Sequence, residues 1–526
     1  MKNYEKVSRM NSGIKTNYEG GIGYQMNLEE RLAEFFSLGL LNGNFYQSEE
    51  DVLNHSRNLF EEALEKCPVY ATQCAIYGNN INSLKLIPMV WLVYLSTLED
   101  KTLFEKAFPK IIKNPKMLHD FMEIARKSGI RQGLGRNIKK VMNNWLVDNL
   151  NEYQVSRNKT KLKEIIRVTR PNNKDEVFQN YMRYISRGEL TFPRAQALKM
   201  VIDDLLNNVI TQNTIELINK HKLQLEELKH SIMNLSQENK KLLYGEIYKN
   251  LNYAALILNL VALERVFAIE TIDVKDANQY GEFEHKKIIE TDIPDHILYM
   301  IVDRIKNVES YKKSNMLPFA LFNVYNRLSV PEFKHAVADV LKMIAKDSFC
   351  IDESIDIMVV VDTSSSMEYN YISNTLSCMD ISTMFGAMIK KSHTNTNVYA
   401  VATNIEKVPL REQDDVFTMA DTIAGMCVGN GTYFEQIIRE YKGENYIILI
   451  TDSEQADNLE KEWKKINKET DKKRLIVWQL ANYETKISDD SSVIYLAGYS
   501  DELLSLIKNL IEGKTGQIDE IKKITI

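Results

Sequence analysis

The chain has 526 residues, of which 44% are hydrophobic and 26% are charged, and its formal net charge is −6. These values are ordinary for a soluble globular protein of two or more domains. The five cysteines form no C-x-x-C pair, residues 1–15 lack the apolar core of a secretory signal, and the longest apolar stretch, residues 251–269, contains polar and charged side chains. A disulfide framework, a signal peptide and a membrane span are therefore not expected, and we predict a cytoplasmic protein.

Charge is distributed unevenly along the chain. Residues 351–526 carry 29 acidic and 18 basic side chains, a net of −11, whereas residues 1–350 carry 43 acidic and 48 basic side chains, a net of +5. A basic front half joined to an acidic back half predicts two regions with different partners.

The first two thirds of the sequence is typical of stacked helices. Residues 17–23 are glycine-rich and predict a flexible segment, and residues 28–40 predict the first helix. Amphipathic patterns then continue to about residue 345. Apolar residues at 198, 201, 202, 205, 206 and 209, for example, form one stripe of a helix. Strand-like alternation is scarce, so we expect an α-solenoid of helix pairs, similar to HEAT repeats.

Basic residues concentrate in one part of this helical region. Residues 126–170 contain twelve Lys or Arg and three acidic residues, a net of +9. The glycine-rich turn at residues 129–136 precedes a helix but lacks the Gly-Lys-Ser/Thr of a Walker loop. A short charge run is often only a solvated helical face, but such a cluster on an acidic chain favours nucleic acid. The candidate RNA-binding residues are Arg131, Arg136, Lys139, Lys140, Arg157, Lys161, Arg167 and Arg170.

Two buried strands in the last third end in acidic residues. The β-branched run at residues 357–361 ends at Asp362 and is followed by Ser364 and Ser366, and residues 446–451 precede Asp452. A glycine-rich loop, residues 429–432, presents Thr432 before a predicted helix. Because ligands bind at the carboxyl ends of strands in open α/β sheets, these five oxygen-bearing side chains can converge on a cation such as Mg²⁺. The D-x-S-x-S motif alone is equally compatible with a turn that caps a helix.

Strands and helices alternate throughout residues 350–526. Predicted strands cover residues 355–362, 398–403, 407–410, 446–451, 475–480 and 493–496. Helices between them predict a doubly wound, parallel sheet with the cation loops at one edge.

The three loops together resemble the metal-ion-dependent adhesion site of von Willebrand factor A domains. That resemblance implies that Asp362, Ser364, Ser366, Thr432 and Asp452 hold a divalent cation, Mg²⁺, with one coordination position left open for a carboxylate of a partner protein. The residue after the loop threonine is Tyr433.

The helical part resembles the TROVE module of the Ro autoantigen family. The motifs are Gly20-Gly21, residues 31–39, Phe45-Tyr46, and the stretches 135–145 and 153–171. A TROVE module followed by a von Willebrand A domain is the order found in Ro proteins, and the resemblance divides the chain into residues 16–345 and 350–526.

The Ro resemblance also implies a function. In that family the helical repeats close into a ring, misfolded RNA 3′ ends pass through its hole, and small structured Y RNAs bind the outer surface. Arg157 and Arg170 fall where relatives present basic residues to Y RNA, whereas Tyr153 falls where relatives can have a lysine. An exoribonuclease or another acidic protein ligand is the implied partner at the metal site, and no DNA specificity is expected.

Three functions are compatible with the sequence. The first is a Ro-type RNA-binding scaffold in RNA quality control or processing. The second is a protein-interaction scaffold whose metal site captures an acidic partner without RNA. The third, a metal-dependent phosphodiesterase using Asp362 and Asp452, is disfavoured because hydroxyls dominate the site and no general base is evident near it. We therefore predict a protein that is not an enzyme.

Overall fold

The computed structural model describes residues 14–39, 47–277, 283–314, 316–373, 376–426, 428–467 and 474–526. Phe45, Tyr46 and Cys427, which were considered above, lie outside these residues. Within the described residues, no helix is both long and apolar enough to cross a membrane.

The first part of the chain forms a short strand pair and a long series of helices. The strands are β1 (Ile14–Thr16) and β2 (Ile22–Gln25), and the first four helices are α1 (Leu28–Leu38), α2 (Glu49–Lys66), α3 (Pro68–Asn80) and α4 (Leu86–Leu95). The next seven are α5 (Thr102–Ile111), α6 (Pro115–Lys127), α7 (Arg136–Asn149), α8 (Glu152–Arg157), α9 (Lys159–Thr169), α10 (Glu176–Arg187) and α11 (Pro193–Leu206). They are followed by α12 (Gln212–His221), α13 (Leu225–Ile232), α14 (Gln237–Ile247), α15 (Tyr253–Val266), the hairpin β3 (Ala268–Ala277) and β4 (Phe283–Thr291), α16 (Asp295–Ile305), α17 (Val308–Lys313), α18 (Pro318–Tyr325) and α19 (Pro331–Ser348).

The last part alternates strands and helices as predicted. It begins with β5 (Ile357–Asp362), α20 (Ser365–Tyr369), β6 (Tyr371–Ser373), β7 (Leu376–Ser377), α21 (Cys378–Ser392), β8 (Thr396–Val401) and β9 (Ile405–Lys407). It continues with α22 (Val416–Ala424), α23 (Glu435–Glu440), β10 (Tyr446–Thr451), α24 (Leu459–Ile466), β11 (Leu475–Gln479), β12 (Thr485–Lys486), β13 (Val493–Ala497), α25 (Glu502–Ile511) and α26 (Gln517–Lys522).

Contacts divide the chain into two compact units. Unit 1 contains Met1–Tyr94, Leu317–Phe319 and Leu341–Ile526, and unit 2 contains Leu95–Met316 and Ala320–Val340. The division into residues 16–345 and 350–526, which follows the resemblance, stays a prediction.

A six-stranded sheet of order β13-β11-β10-β5-β8-β9 forms the centre of unit 1. All neighbours are parallel except β9, which runs antiparallel to β8. The central strand β5 is buried along its whole length, as its unbroken apolar run predicts. Helix α21 packs so closely on β5 that a Cβ at Gly386 would lie 2.8 Å from a methyl group of Val361. The predicted combination of many helices with a mostly parallel α/β sheet is confirmed.

The helices of unit 2 bury apolar stripes in the predicted manner. Phe104 and Phe108 of α5 pack against Phe121 of α6, with ring centroids 5.0–6.3 Å apart. The stripe predicted for residues 198–209 is wrong at its end, because α11 stops at Leu206, and both Leu206 and Val209 are exposed.

Two predictions of local structure are corrected. Residues 17–23 were expected to be flexible, but they connect β1 and β2, and β2 is hydrogen-bonded to β12. The hairpin β3–β4 was also missed, because helical periodicity dominates the sequence on both sides of it.

Candidate cation site and nucleic-acid interface

Three loops of unit 1 meet at the carboxyl ends of β5 and β10. These strands are adjacent, with Val361 opposite Ile450, so the residues that follow them lie side by side. The backbone N–H of Ser365 donates to the carbonyl of Asn430 at 3.3 Å. The N–H of Ala456 donates to the carbonyl of Thr432 at 2.8 Å. Backbone hydrogen bonds therefore connect the loop at residues 429–432 to the other two loops.

The structure brings the predicted metal ligands into this junction. Asp362, Ser364, Ser366, Thr432 and Asp452 are all at least 98% buried. The hydroxyl oxygens of Ser364 and Ser366 are 3.2 Å apart. The hydroxyl of Ser366 also hydrogen-bonds to the carboxylate of Asp452. The contact between Ser364 and Ser366 follows from the D-x-S-x-S spacing, and so does the hydrogen bond from the N–H of Ser364 to Asp362 Oδ1 at 2.9 Å. The bond from Ser366 to Asp452 instead joins two loops that are distant in sequence.

The electrostatics of the junction indicate that positive charge is needed there. Burial raises the pKa of Asp362, and the nearby Glu19 carboxylate raises it further. Burial, followed by the negative charge of Asp362, raises the pKa of Asp452. Neither carboxylate forms an ion pair within the part of the chain that the structure describes. Two buried anions without a counter-ion are costly, and a bound cation would remove that cost.

The Thr432 hydroxyl supplies a second indication. Its oxygen is buried and has no hydrogen-bond partner in the described structure. Buried polar groups nearly always have a hydrogen-bond partner. A buried hydroxyl that lacks one therefore fits a side chain that coordinates a metal ion.

The chemistry of the donors narrows the kind of cation. Two carboxylates and three hydroxyls are hard oxygen donors, which suit Mg²⁺ and do not suit the softer metals that favour Cys or His. The described residues contain no group of three or more His, Cys, Asp or Glu that could hold a metal ion, so a ligand set at the junction would have to combine its two carboxylates with hydroxyls. The residues at the junction therefore fit a hard divalent cation.

Side chains not identified from the sequence hold the two carboxylates in place. Thr451 Oγ1 donates to Asp362 Oδ2 at 2.7 Å, and Asn370 Nδ2 donates to Asp452 Oδ2 at 3.1 Å. Asn370 also donates to the Tyr483 hydroxyl at 2.9 Å. Thr451 precedes Asp452 directly and could have been inferred from the strand end. Asn370 and Tyr483 carry no such signal, because neither belongs to a recognisable motif.

The turn between β1 and β2 contacts the residues that follow β10, close to the cation loops. The N–H of Tyr18 donates to Glu454 Oε2 at 2.6 Å, and Asn17 Nδ2 donates to the carbonyl of Gln455 at 2.7 Å. Glu19 is thereby placed near Asp362 and Glu454, and its charge raises the pKa of both. The acidic environment of the junction thus includes a residue from the beginning of the chain.

We expect the substitution Gly21→Ala to displace this turn. A Cβ at residue 21 would lie 2.1 Å from the carbonyl oxygen of Gln455 and 2.9 Å from that of Asp457, both of which are backbone atoms. Overpacking of this kind costs about 1–3 kcal/mol of unfolding free energy. Denaturant unfolding should show the loss. Gly23→Ala is the matched control, because its Cβ would meet only ordinary contacts at 3.5 Å or more. Equal stability of the two variants would contradict the expectation.

Four predicted RNA-binding residues line one cleft of unit 2. A cleft of about 1050 Å³ lies between α7 and the end of α9, and it is lined by Arg136, Lys139, Lys140 and Arg170. All four are exposed. Asparagines and one threonine complete much of the lining: Asn143, Asn144, Thr169, Asn172 and Asn173. We name this feature the basic cleft. Asp148 also lines the cleft. The excess of cations over this single acid, together with the amides, is suited to phosphates and to polar edges of nucleotides.

Arg170 reaches the cleft because of the way α9 ends. It is the C-cap of the helix and adopts a left-handed conformation with φ of 50°. Its N–H donates to the carbonyl of Ile166 at 2.8 Å. This cap turns the chain at Arg170 and brings it opposite Arg136, which begins α7.

The other predicted RNA-binding residues are distributed differently. Arg131 is held by the carbonyl of Gly133 and by Ser96, and it lines a separate cavity of about 250 Å³ that Arg136 also borders. Arg157 hydrogen-bonds to the Tyr153 hydroxyl and lies 3.6 Å from the Glu226 carboxylate. Lys161 lies 3.4 Å from Asp120, and Arg167 is exposed on α9. The structure thus collects four of the eight residues in the basic cleft and places four outside it.

Several solved structures are similar to this chain. The crystal structure of the Deinococcus radiodurans Ro (RSR) protein matches with a TM-score of 0.60 and 16% sequence identity, covering 93% of this chain and 100% of the other. No family model and no curated protein sequence matches the chain. At this level of identity the likeness concerns the fold. The predicted resemblance to Ro proteins is confirmed at that level, and the chain has the fold of a Ro protein.

Proposed function

We propose that the chain is an RNA-binding scaffold of Ro type, in which the basic cleft holds RNA and the cation site binds a protein partner. The observation that carries the proposal is the basic cleft, where four exposed cations face one space large enough for several nucleotides. The Ro fold supports the same assignment. Phosphate contacts would provide most of the affinity, so binding depends on the shape and charge of the RNA more than on its sequence.

The finer parts of the proposal follow the Ro resemblance. The RNA is a small, structured, Y-like RNA, and single-stranded 3′ ends of misfolded RNA enter the hole of a closed helical ring. The cation is Mg²⁺, and its open position accepts a carboxylate from a protein partner such as an exoribonuclease. The proposal places the protein in the cytoplasm.

The arrangement of unit 1 supports a binding role over catalysis. Two-metal nucleases use carboxylates that bridge two ions, whereas three of the five donors here are hydroxyls. The nearest histidine in sequence, His393, is buried just before β8 begins, where its Nδ1 lies 3.1 Å from the Thr396 hydroxyl. The cation loops follow the opposite, carboxyl ends of the parallel strands β5 and β10. His393 is thus unsuited to act as a general base at the cation site.

Crosslinking tests the RNA assignment. The full chain is irradiated with bound cellular RNA, the RNA is sequenced, and the crosslinked residues are mapped. We expect crosslinks at residues 134–148 and 169–173, with structured small RNAs enriched. Absence of bound RNA at low salt would contradict the proposal and favour the protein-interaction alternative.

Mg²⁺ should stabilise the protein, since it neutralises two buried carboxylates. At a free concentration 100-fold above the Kd, we expect the free energy of unfolding to rise by about 2.7 kcal/mol. Asp362→Asn should abolish this increase without lowering the stability of the metal-free protein, because it removes one of two repelling charges. Thermal unfolding with Mg²⁺ and with EDTA measures both effects.

The matched control is Asp356→Asn. Asp356 is exposed and lies just before β5, at the other end of the strand from Asp362. This variant should keep the full response to Mg²⁺. A response to Mg²⁺ that survives Asp362→Asn would exclude the cation site.

RNA affinity should not change with EDTA, because the basic cleft and the cation site use different residues.

A further inference from the structure

Four exposed tyrosines lie on segments that form or support the cation site. Tyr433 follows Thr432 directly, and its ring lies close enough to Gly431 that a Cβ there would be 3.1 Å from the ring edge. Tyr369 and Tyr371 flank Asn370, which binds Asp452. The ring of Tyr18 packs on that of Tyr483, 5.5 Å between centroids, and Tyr483 accepts a hydrogen bond from Asn370. We name these four residues, Tyr18, Tyr369, Tyr371 and Tyr433, the tyrosine rim.

The tyrosine rim is unusual for its exposure when it is compared with residues 341–526, which contain three of its four members. Its members are 41–58% exposed. Among the described residues of 341–526, five large apolar or aromatic side chains are exposed, and three of them belong to the rim; the other two are Met343 and Ile466. Tyrosine is enriched in protein interfaces because it offers a large amphipathic surface with little conformational entropy to lose.

Charge restricts the kind of molecule that can bind at this rim. Glu19 lies near Asp362, Glu368 directly precedes Tyr369, and residues 351–526 have a net charge of −11. A polyanion such as RNA would be repelled. A peptide segment with several cationic side chains would be attracted, and Arg in particular stacks well on tyrosine rings.

We propose that the tyrosine rim is a docking surface for a protein segment that carries one Asp or Glu among Arg or Lys residues. The single carboxylate fills the open position of the cation, and the flanking cations stack on the rim and neutralise the acidic surface. This inference rests on the proposed cation site. It adds that the partner segment is basic apart from the one acidic residue that binds the metal.

A display library tests the chemistry of the partner. Nine-residue peptides with a fixed central Asp and random flanks are selected on the full chain in Mg²⁺. We expect Arg and Lys to be enriched in the flanks. A selected peptide should bind at least about tenfold more weakly in each of three separate tests. These are the addition of EDTA, the change of its Asp to Asn, and the use of a chain that carries Tyr369→Ser and Tyr433→Ser.

Controls separate the rim from the metal site. Tyr299→Ser removes a tyrosine of similar exposure from unit 2 and should leave peptide binding unchanged. The Tyr369→Ser/Tyr433→Ser chain should keep its stabilisation by Mg²⁺, which shows that the fold and the cation site are intact. If Mg²⁺ does not stabilise even the unmodified chain, the proposed cation site is overturned instead.

Three outcomes would overturn the docking surface. No enriched peptide, or enriched flanks that are neutral or acidic, would exclude a basic segment. Peptide binding that is unaffected by the tyrosine substitutions would exclude the rim. A tenfold loss of affinity for a twelve-nucleotide uridine RNA in the Tyr369→Ser/Tyr433→Ser chain would show that the rim serves RNA.

Discussion

Replacing Arg194 by alanine should lower the free energy of unfolding by about 3–5 kcal/mol, the range for a buried charge that loses its partner. Arg194 Nη2 lies 2.6 Å from Glu227 Oε2, and the two side chains are only 7% and 1% exposed. Arg194 also donates to the Ser156 hydroxyl and to the carbonyl of His221. Its removal leaves a buried carboxylate without a counter-ion in the middle of four helices, α8, α11, α12 and α13. Denaturant unfolding measures the loss.

The control for this prediction is an ion pair of the same residue types on the surface. Arg187 and Glu189 are 3.4 Å apart with side chains 71% and 42% exposed, so Arg187→Ala should change stability by less than about 1 kcal/mol. A double variant, Arg194→Met with Glu227→Leu, should recover most of the loss, because no buried charge remains. Equal losses from Arg194→Ala and Arg187→Ala would contradict the prediction.

Reversing the charge of the basic cleft should weaken RNA binding on the order of 100-fold near physiological salt and flatten the dependence of log K on log salt by about 3 units. The variant carries Glu at positions 136, 139, 140 and 170, whose wild-type side chains are exposed and line one cleft. Filter binding or fluorescence anisotropy at several salt concentrations measures both quantities.

A matched variant isolates the position of the charges from their number. Four exposed cations outside the cleft, Arg183, Arg187, Lys199 and Lys229, are changed to Glu, which alters the net charge by the same amount. This variant should lose much less affinity and keep most of the salt dependence. If the two variants weaken binding equally, RNA does not bind in the cleft.

The convergence of the five candidate cation ligands could be predicted because its signals are local. Asp362 and Asp452 each follow a strand whose apolar run is continuous, and Ser364 and Ser366 follow at fixed spacing. Parallel pairing of β5 with β10 then brings the ends together without further information. Nothing near Asn370 or Tyr483 shows that they hold Asp452, since that contact depends on how the segment after α20 folds back.

The positions of the eight candidate RNA-binding residues were predicted less completely, because charge density along the sequence does not specify which way each side chain points. All eight candidate cations lie within 40 residues of sequence, but the phase of each helix decides which way they face. Arg157 and Lys161 also meet acids that are distant in sequence, Glu226 and Asp120. Local counting of charge cannot detect such pairs. Arg170 reaches the cleft because it is a left-handed helix C-cap. That conformation is usually predicted from a glycine or asparagine, and neither is present at this position.

The pairing of β2 with β12 joins Gln25 to Thr485. During synthesis on a ribosome, the strand β2 is made long before β12 and must remain without this neighbour until β12 has been made. Unit 2, whose residues end at Val340, is fully synthesised before that point and can begin to fold first. Attachment of β2 to β12 is therefore a late step in completing unit 1, which can occur only after the whole of unit 2 has been made.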